Sequence, residues 1–191
     1  MKKEYRQFTT QESIILFPAL VEPKKSIINP NQDPRFSCSF TLSDDDIARI
    51  KKPMLEIAKE SWGLDDLKGI NTCIKAQKIK DKNGEYTTRL DKNGNPLYML
   101  SAWTYKKPIA VNLMKEDLKE EDCYTGMVGI GIVNLYSCEA VGKKFILAGL
   151  LSVIKTKDGE KPATSITDEI DTILNKYKEN TVESTANEIP F

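Results

Sequence analysis

Two long apolar runs, residues 124–136 (YTGMVGIGIVNLY) and 143–154 (KKFILAGLLSVI), are separated only by a turn around residues 140–142. Segments of this length and β-branched content, joined so closely, pair with each other as antiparallel strands. They predict a central hairpin about which the rest of the chain must be arranged. Gly126, Gly129 and Gly131 lie in the first run, but no Gly-Lys-Ser/Thr follows, so the spacing is wrong for a phosphate loop. Glycines in an apolar strand more often mark a bulge, a barrel corner or a close backbone approach.

The remaining segments add strands and one helix. Residues 13–21 (SIILFPALV) form a β-branched run interrupted by Pro18 and followed by Pro23, which predicts a strand at an edge or bulge, because proline cannot donate to a ladder. From Arg35 the alternation is clean: Phe36, Cys38, Phe40 and Leu42 share one face, and Ser37, Ser39 and Thr41 the other. Ser43 then suits an N-cap, Asp44 to Asp46 the positive end of a helix dipole, and Ile47, Ile50, Met54 and Ile57 recur at helical spacing up to Gly63. Pro53 is expected either to kink that helix or to start its second half. Residues 69–80 read as a strand, and "DKNG" at 81–84 and again at 91–94 supplies the Asn-Gly signal of tight hairpins. Residues 98–107 (YMLSAWTYKK) alternate again, with Met99, Ser101, Trp103, Tyr105 and Lys107 on one side. Ile166, Ile170, Ile173 and Tyr177 suit a short C-terminal helix.

These elements predict a mainly β domain of barrel or sandwich type, spanning residues 13–178. Residues 1–12 are expected to be a flexible N-terminus and 179–191 a disordered, weakly acidic tail. A chain of 191 residues with 40% apolar and 29% charged content suits one such domain. No apolar run approaches a membrane span and the N-terminus has no signal-like apolar stretch, so neither a membrane nor export is expected.

Composition narrows the chemistry. There is no histidine, and Cys38, Cys73, Cys123 and Cys138 are scattered without a C-x-x-C pair. Histidine-dependent triads and zinc sites of the usual build are therefore excluded, and the thiols are expected as packing residues in a reducing cytoplasm. With no acidic metal cluster in the pattern, no enzyme activity and no cofactor are expected. Lysines and arginines balance acids at 28 each, but residues 161–191 hold three lysines against six acids, leaving −3 there and +3 on the rest. That asymmetry is a weak pointer to a polyanion.

The candidate binding surface is the strand bearing Tyr98, Trp103, Tyr105, Lys106 and Lys107. Flat rings stack on bases whatever the sequence, and cations neutralise phosphates, which is the chemistry single-stranded nucleic acid requires. Spacing alone favours the other reading, with Trp103 in the core and its lysines on a solvated edge, since aromatics are enriched in strands. Lys75 and Lys78, with Lys80 and Arg89, extend a basic path or simply flank a hairpin. Lys143 sits at the tip of the central hairpin, where it either meets phosphates or keeps a turn soluble. The polar terminus ends on Glu188, Ile189, Pro190 and Phe191. Apolar residues there fit a linear motif whose ring and carboxylate enter a partner's pocket, or a terminus that packs back on its own domain.

That ending resembles the acidic Ile-Pro-Phe tip of bacterial single-stranded-DNA-binding proteins, which recruit replication and repair enzymes through it. The body resembles instead the tailed-phage single-stranded-DNA-binding proteins with an OB-fold related to that of T-odd phages. The resemblance runs through "FPALVEP" (17–23), "PRFSCSFTL" (34–42), "YMLSAWTYKKP" (98–108), "YTGMVGIGIVNLY" and "KKFILAGLLSVIK", in that order. The double "DKNG" insertion, the helical segment after Ser165 and the weak acidity of the tail depart from that pattern.

The resemblance implies an OB-fold-like barrel of five to six strands, with one helix after the second strand. It also implies a non-catalytic single-stranded-DNA-binding protein of phage replication, recombination and repair in the bacterial host cytoplasm, and a homodimer. Trp103, Tyr105, Tyr98 and Tyr124 would stack on bases while Lys75, Lys78, Lys106, Lys107 and Lys143 follow the backbone. Glu188 to Phe191 would recruit replication or recombination proteins. The alternative from another class is a β-sandwich interaction module with no nucleic-acid role.

Overall fold

The computed structural model describes residues 6–25, 31–80 and 84–160. In chain order they form β1 (Arg6–Thr9), β2 (Ser13–Lys24), β3 (Arg35–Leu42), α1 (Asp44–Trp62), β4 (Ile70–Thr72), β5 (Ile74–Ala76), β6 (Lys78–Lys80), β7 (Tyr86–Thr88), β8 (Tyr98–Thr104), β9 (Ile109–Asn112), β10 (Val128–Ala140) and β11 (Lys143–Lys157). The central hairpin is β10 and β11, paired antiparallel from Val128 to Ala140. Its turn is Val141 and Gly142, both at positive φ, 50° and 68°, the backbone a two-residue hairpin of native twist demands.

Strand pairings return on themselves: β10 to β2, β2 to β3, β3 to β8, β8 to β11, and β11 to β10. This five-strand ring gives the mainly β, OB-fold-like architecture, but it is not a clean barrel. The β2–β10 joint is two residue pairs long, and the β8–β11 joint is the single pair Gly149–Trp103. Short strands dock onto the ring: β4 and β9 lie parallel beside β11, on either side of that joint, and β5 lies antiparallel to β8. Beyond the ring, β6 and β7 make a separate two-stranded antiparallel sheet, and residues 81–83 of the first "DKNG" lie outside the described residues.

Inside the ring, Ile15, Leu20, Phe40, Leu100, Met127, Val133, Leu135, Ile146 and Val153 are almost fully buried. Gly129 and Gly131 are required by this packing. A Cβ on Gly131 would collide with the Phe40 ring, and one on Gly129 with the carbonyl oxygen of Ile154.

One helix follows the opening strands. The Ser43 hydroxyl accepts from the Asp46 N–H at 3.1 Å, and Gly63 ends the helix at φ 67°. Pro53 does not begin a second helix; α1 runs through it as one element. Its missing N–H and ring cost roughly 3 kcal/mol in a helix interior. Burial of Ile50, Met54, Ile57 and Ala58 against the ring offsets that cost.

Three segments differ from expectation. Arg6–Thr9, placed in a flexible N-terminus, is β1 and pairs with β10 from Thr9–Ile132 to Arg6–Leu135. Asp46, expected only to complement the helix dipole, is buried and holds this segment down. Its carboxylate accepts from the Gln11 N–H at 3.0 Å and from Arg49, whose guanidinium also donates to the Thr9 carbonyl. Residues 69–80 are three short strands rather than one, because β4 follows β11 while β5 turns at buried Cys73 to follow β8. In β2, the proline run forms a bulge: Leu16 pairs with Ser39 and Ala19 with Ser37, so Phe17 and Pro18 stand opposite Cys38 alone. Phe17 takes φ 52° there, at a cost on the order of 1 kcal/mol for a residue with a Cβ. The expected C-terminal helix and tail lie outside the described residues.

Candidate nucleic-acid interface

Alternation on β8 places Leu100 and Ala102 in the core and Met99, Ser101 and Trp103 on the outer face. The same face continues onto β3, where Ser39 pairs with Ser101 and Ser37 with Trp103. The two serine hydroxyls, Ser39 and Ser101, are 3.0 Å apart. On the other side, β8 and β11 meet at Trp103 and Gly149 and diverge towards their N-terminal ends, with β4 and β5 between them.

A groove of about 580 Å³ lies over this divergence, lined by Arg35, Asn71, Lys75, Ser101, Trp103 and Phe145 with small and aliphatic neighbours. Among the described residues its lining holds two cations, two aromatic rings and no carboxylate. The Arg35 guanidinium lies over the Trp103 ring at 5.0 Å, and Tyr105 meets the same ring edge-on at 5.3 Å and 76°. Trp103 is thus half-buried on the outer face rather than in the core. Its ring is clamped by a cation and an aromatic edge, an arrangement able to stack a flat ligand while presenting charge to an anion.

The Cys73 thiol also lines the groove, but burial raises its pKa to about 12. It is a neutral packing group at physiological pH and no nucleophile. Among the described residues, no group of cysteine and acidic side chains is arranged to hold a metal ion, and no helix is long and apolar enough to cross a membrane.

The sequence-selected residues separate into distinct places. Trp103 and Lys75 line the groove; Tyr105 is exposed against Trp103, and Lys106 and Lys107 follow it, also exposed. Lys143 is exposed and shares strand parity with the groove residues Phe145 and Leu147. Lys78 belongs to the separate β6–β7 sheet, paired with Thr88. Tyr98 falls on the opposite face of β8 from Trp103, between Leu42 and Ala76.

Tyr124 is not brought to the groove. Its hydroxyl donates to Asp158 at 2.8 Å and accepts from the Gly159 N–H, and Lys155 covers its ring at 5.1 Å. Burial and the Asp158 hydrogen bond push the Tyr124 hydroxyl above the ordinary tyrosine value. Glu188, Ile189, Pro190 and Phe191 lie outside the described residues.

Arg35 and Phe145 are the groove residues that sequence reasoning missed. Arg35 reads as the polar start of a strand, although its register two residues before Ser37 was visible. Phe145 was absorbed into an apolar run, although its alternation with Ile146 separates the two faces.

The family of the ssDNA-binding protein of Enterobacter phage Enc34 matches residues 7–181. The chain belongs to this family. The solved ssDNA complex of the bacteriophage Enc34 single-stranded DNA-binding protein is similar in fold, with a TM-score of 0.61 and 21% identity over 82% of this chain and 89% of that one. A C-terminally truncated form of the Enc34 protein gives 0.59 and 23% identity over 81% and 87%. Gp2.5, a single-stranded DNA-binding protein encoded by bacteriophage T7, gives 0.56 at 9% identity over 98% and 100%. No curated protein matches the chain in sequence.

Proposed function

We propose that this chain is a non-catalytic single-stranded-DNA-binding protein that serves phage replication and recombination in the host cytoplasm. The observation that carries the proposal is the Arg35–Trp103–Tyr105 cluster beside a groove whose described lining residues include Arg35 and Lys75 and no carboxylate. Membership of a phage ssDNA-binding family supports it. Bases stack on Trp103 and Tyr105 with little regard to sequence, and Arg35, Lys75, Lys106, Lys107 and Lys143 neutralise the backbone. Tyr124 drops out of this path, and Tyr98 and Lys78 stand apart from it.

Titration of Trp emission with oligo-dT at rising salt tests this. Binding quenches the signal, and log affinity falls with log salt at about −0.7 per phosphate neutralised. Trp103→Ala removes most of the quench, since Trp62 is packed beneath Lys144. Quenching that survives Trp103→Ala, or affinity indifferent to salt, refutes the site.

Recruitment of replication or recombination proteins through Glu188 to Phe191 belongs to the same reading, on the strength of the tip's sequence. So does self-association as a homodimer, for which the exposed apolar side chains of Ile109 and Leu151 offer a surface. Sedimentation equilibrium checks the latter: a strictly monomeric chain at micromolar concentration removes it.

A further inference from the structure

The bulge in β2 puts a bulky ring where the backbone suits glycine. Phe17 has φ 52°, is 69% exposed, and is fixed by its N–H donating to the Thr125 hydroxyl at 3.0 Å and by Pro18 behind it. A positive φ on an aromatic residue is a genuine outlier, and such outliers gather at functional sites. The ring gains no core burial in return.

Phe17 lies in the same sheet as Trp103, two strands away. The outer face of the groove continues across the sheet in two rows: Ser101 to Ser39 to Leu16, and Trp103 to Ser37 to Ala19. Ser37, Ser39, Ser101 and Ala19 are small, Ser39 and Ala19 being buried and Ser37 and Ser101 half-buried, so no tall side chain of these four stands between Trp103 and the β2 bulge. The Phe17–Pro18 bulge interrupts β2 between Leu16 and Ala19, at the far end of both rows. Two strand spacings, about 10 Å, separate β2 from β8 across them. A single strand of nucleic acid leaving Trp103 across the sheet therefore reaches the strand that bears the exposed Phe17 ring.

We infer that Phe17 is a second base-stacking platform, so that single-stranded DNA crosses β8, β3 and β2 from the Trp103 groove to the β2 bulge. This rests on the proposed DNA-binding function and adds to it a direction of travel and a terminus. A phenylalanine on a held backbone has only two side-chain torsions to lose on stacking, which suits a platform better than a long flexible side chain would.

The test uses the full chain with Phe17→Gly and Phe17→Tyr. Glycine accepts the positive φ, so Phe17→Gly holds or raises the unfolding temperature while removing the ring. Its affinity for a long oligo-dT falls about 5- to 150-fold, the range of one stacked base. Phe17→Tyr keeps wild-type affinity, and oligo-dT too short to leave the Trp103 groove binds wild type and Phe17→Gly alike.

Unchanged long-oligo affinity in a folded Phe17→Gly variant, with Trp103→Ala still impaired, overturns the role of Phe17 and leaves the groove standing. A change in oligomeric state without loss of affinity likewise overturns it and makes the ring a protein contact. Failure of the wild-type chain to bind oligo-dT at low salt refutes both readings.

Discussion

The guanidinium carbon of Arg35 stands 5.0 Å from the centre of the Trp103 ring, one strand away across the β3–β8 ladder. One side chain thus braces the ring that would stack on a base and supplies charge for the adjoining phosphate. A lysine in its place keeps the charge without a planar group to lie on the indole.

Arg35→Ala is accordingly expected to lower oligo-dT affinity about tenfold, combining a cation–π contact of roughly 0.5–1 kcal/mol with one phosphate contact. The salt slope should shrink by about 0.7. Arg35→Lys should restore the slope but only part of the affinity. Restored affinity with Lys would assign the whole effect to charge.

Removing the terminal residues Glu188 to Phe191 should leave oligo-dT affinity equal or higher and abolish capture of host or phage replication proteins. Weaker DNA binding by the truncated chain would defeat this division of labour.

Asp46 is 1% exposed and ties Gln11, Thr9 and Arg49 together. Asp46→Ala strands the Gln11 N–H, while Arg49 keeps Asp45 and the Thr9 carbonyl, so a loss of about 1–3 kcal/mol is expected, or roughly 2–12 °C in Tm for a domain of this size. Amide exchange should rise first in β1. A loss below about 0.5 kcal/mol, the range of an ordinary surface substitution, would show that β1 is held by its ladder alone.

Gly131→Ala drives a methyl group into the Phe40 ring. Overpacking of this kind costs about 1–3 kcal/mol, measurable by urea unfolding. Phe40→Leu in the same chain should recover part of that loss, and strict additivity of the two changes would argue against the contact.

Alkaline pH should erode stability through groups held protonated by the fold. Burial and the neighbouring Asp122 raise the Cys123 thiol from 9.0 to about 11. Burial pulls the Lys155 ammonium down, but its contacts with Asp158 outweigh that and leave it above its ordinary 10.5. In both cases the folded state keeps its proton after the unfolded state has lost it. Their stabilisation is therefore complete below about pH 9 and falls as pH rises through the folded values. Thermal unfolding between pH 8 and about 11.5 should show the decline, shallower in Cys123→Ala. A flat profile would contradict these environments.

What the sequence made legible was whatever depends on near neighbours. The central hairpin follows from two apolar runs and a short turn, α1 from Ser43, Gly63 and the Ile50–Met54–Ile57 spacing, and the outer face of β8 from strict alternation. What stayed hidden depends on register between distant segments. β1 offers only Phe8 as a core former, so its pairing with β10 had no local signal. Tyr124 reads like Tyr105 in isolation, yet Asp158 and Lys155, more than 30 residues later, claim its hydroxyl and its ring. Arg35 acquires its role only because Ser37 pairs with Trp103.

The ring of strands closes between β8 and β11 through Gly149 and Trp103 alone. That joint is a seam: the strand bearing Trp103 is stitched firmly to β3 and barely to β11, so thermal opening should begin there. A nucleic acid strand lying from Phe145 to Trp103 would span the seam from outside. Occupancy of the groove should then register as slowed amide exchange along β8 and β9 as much as a change in Trp103, tying the wholeness of the barrel to its cargo.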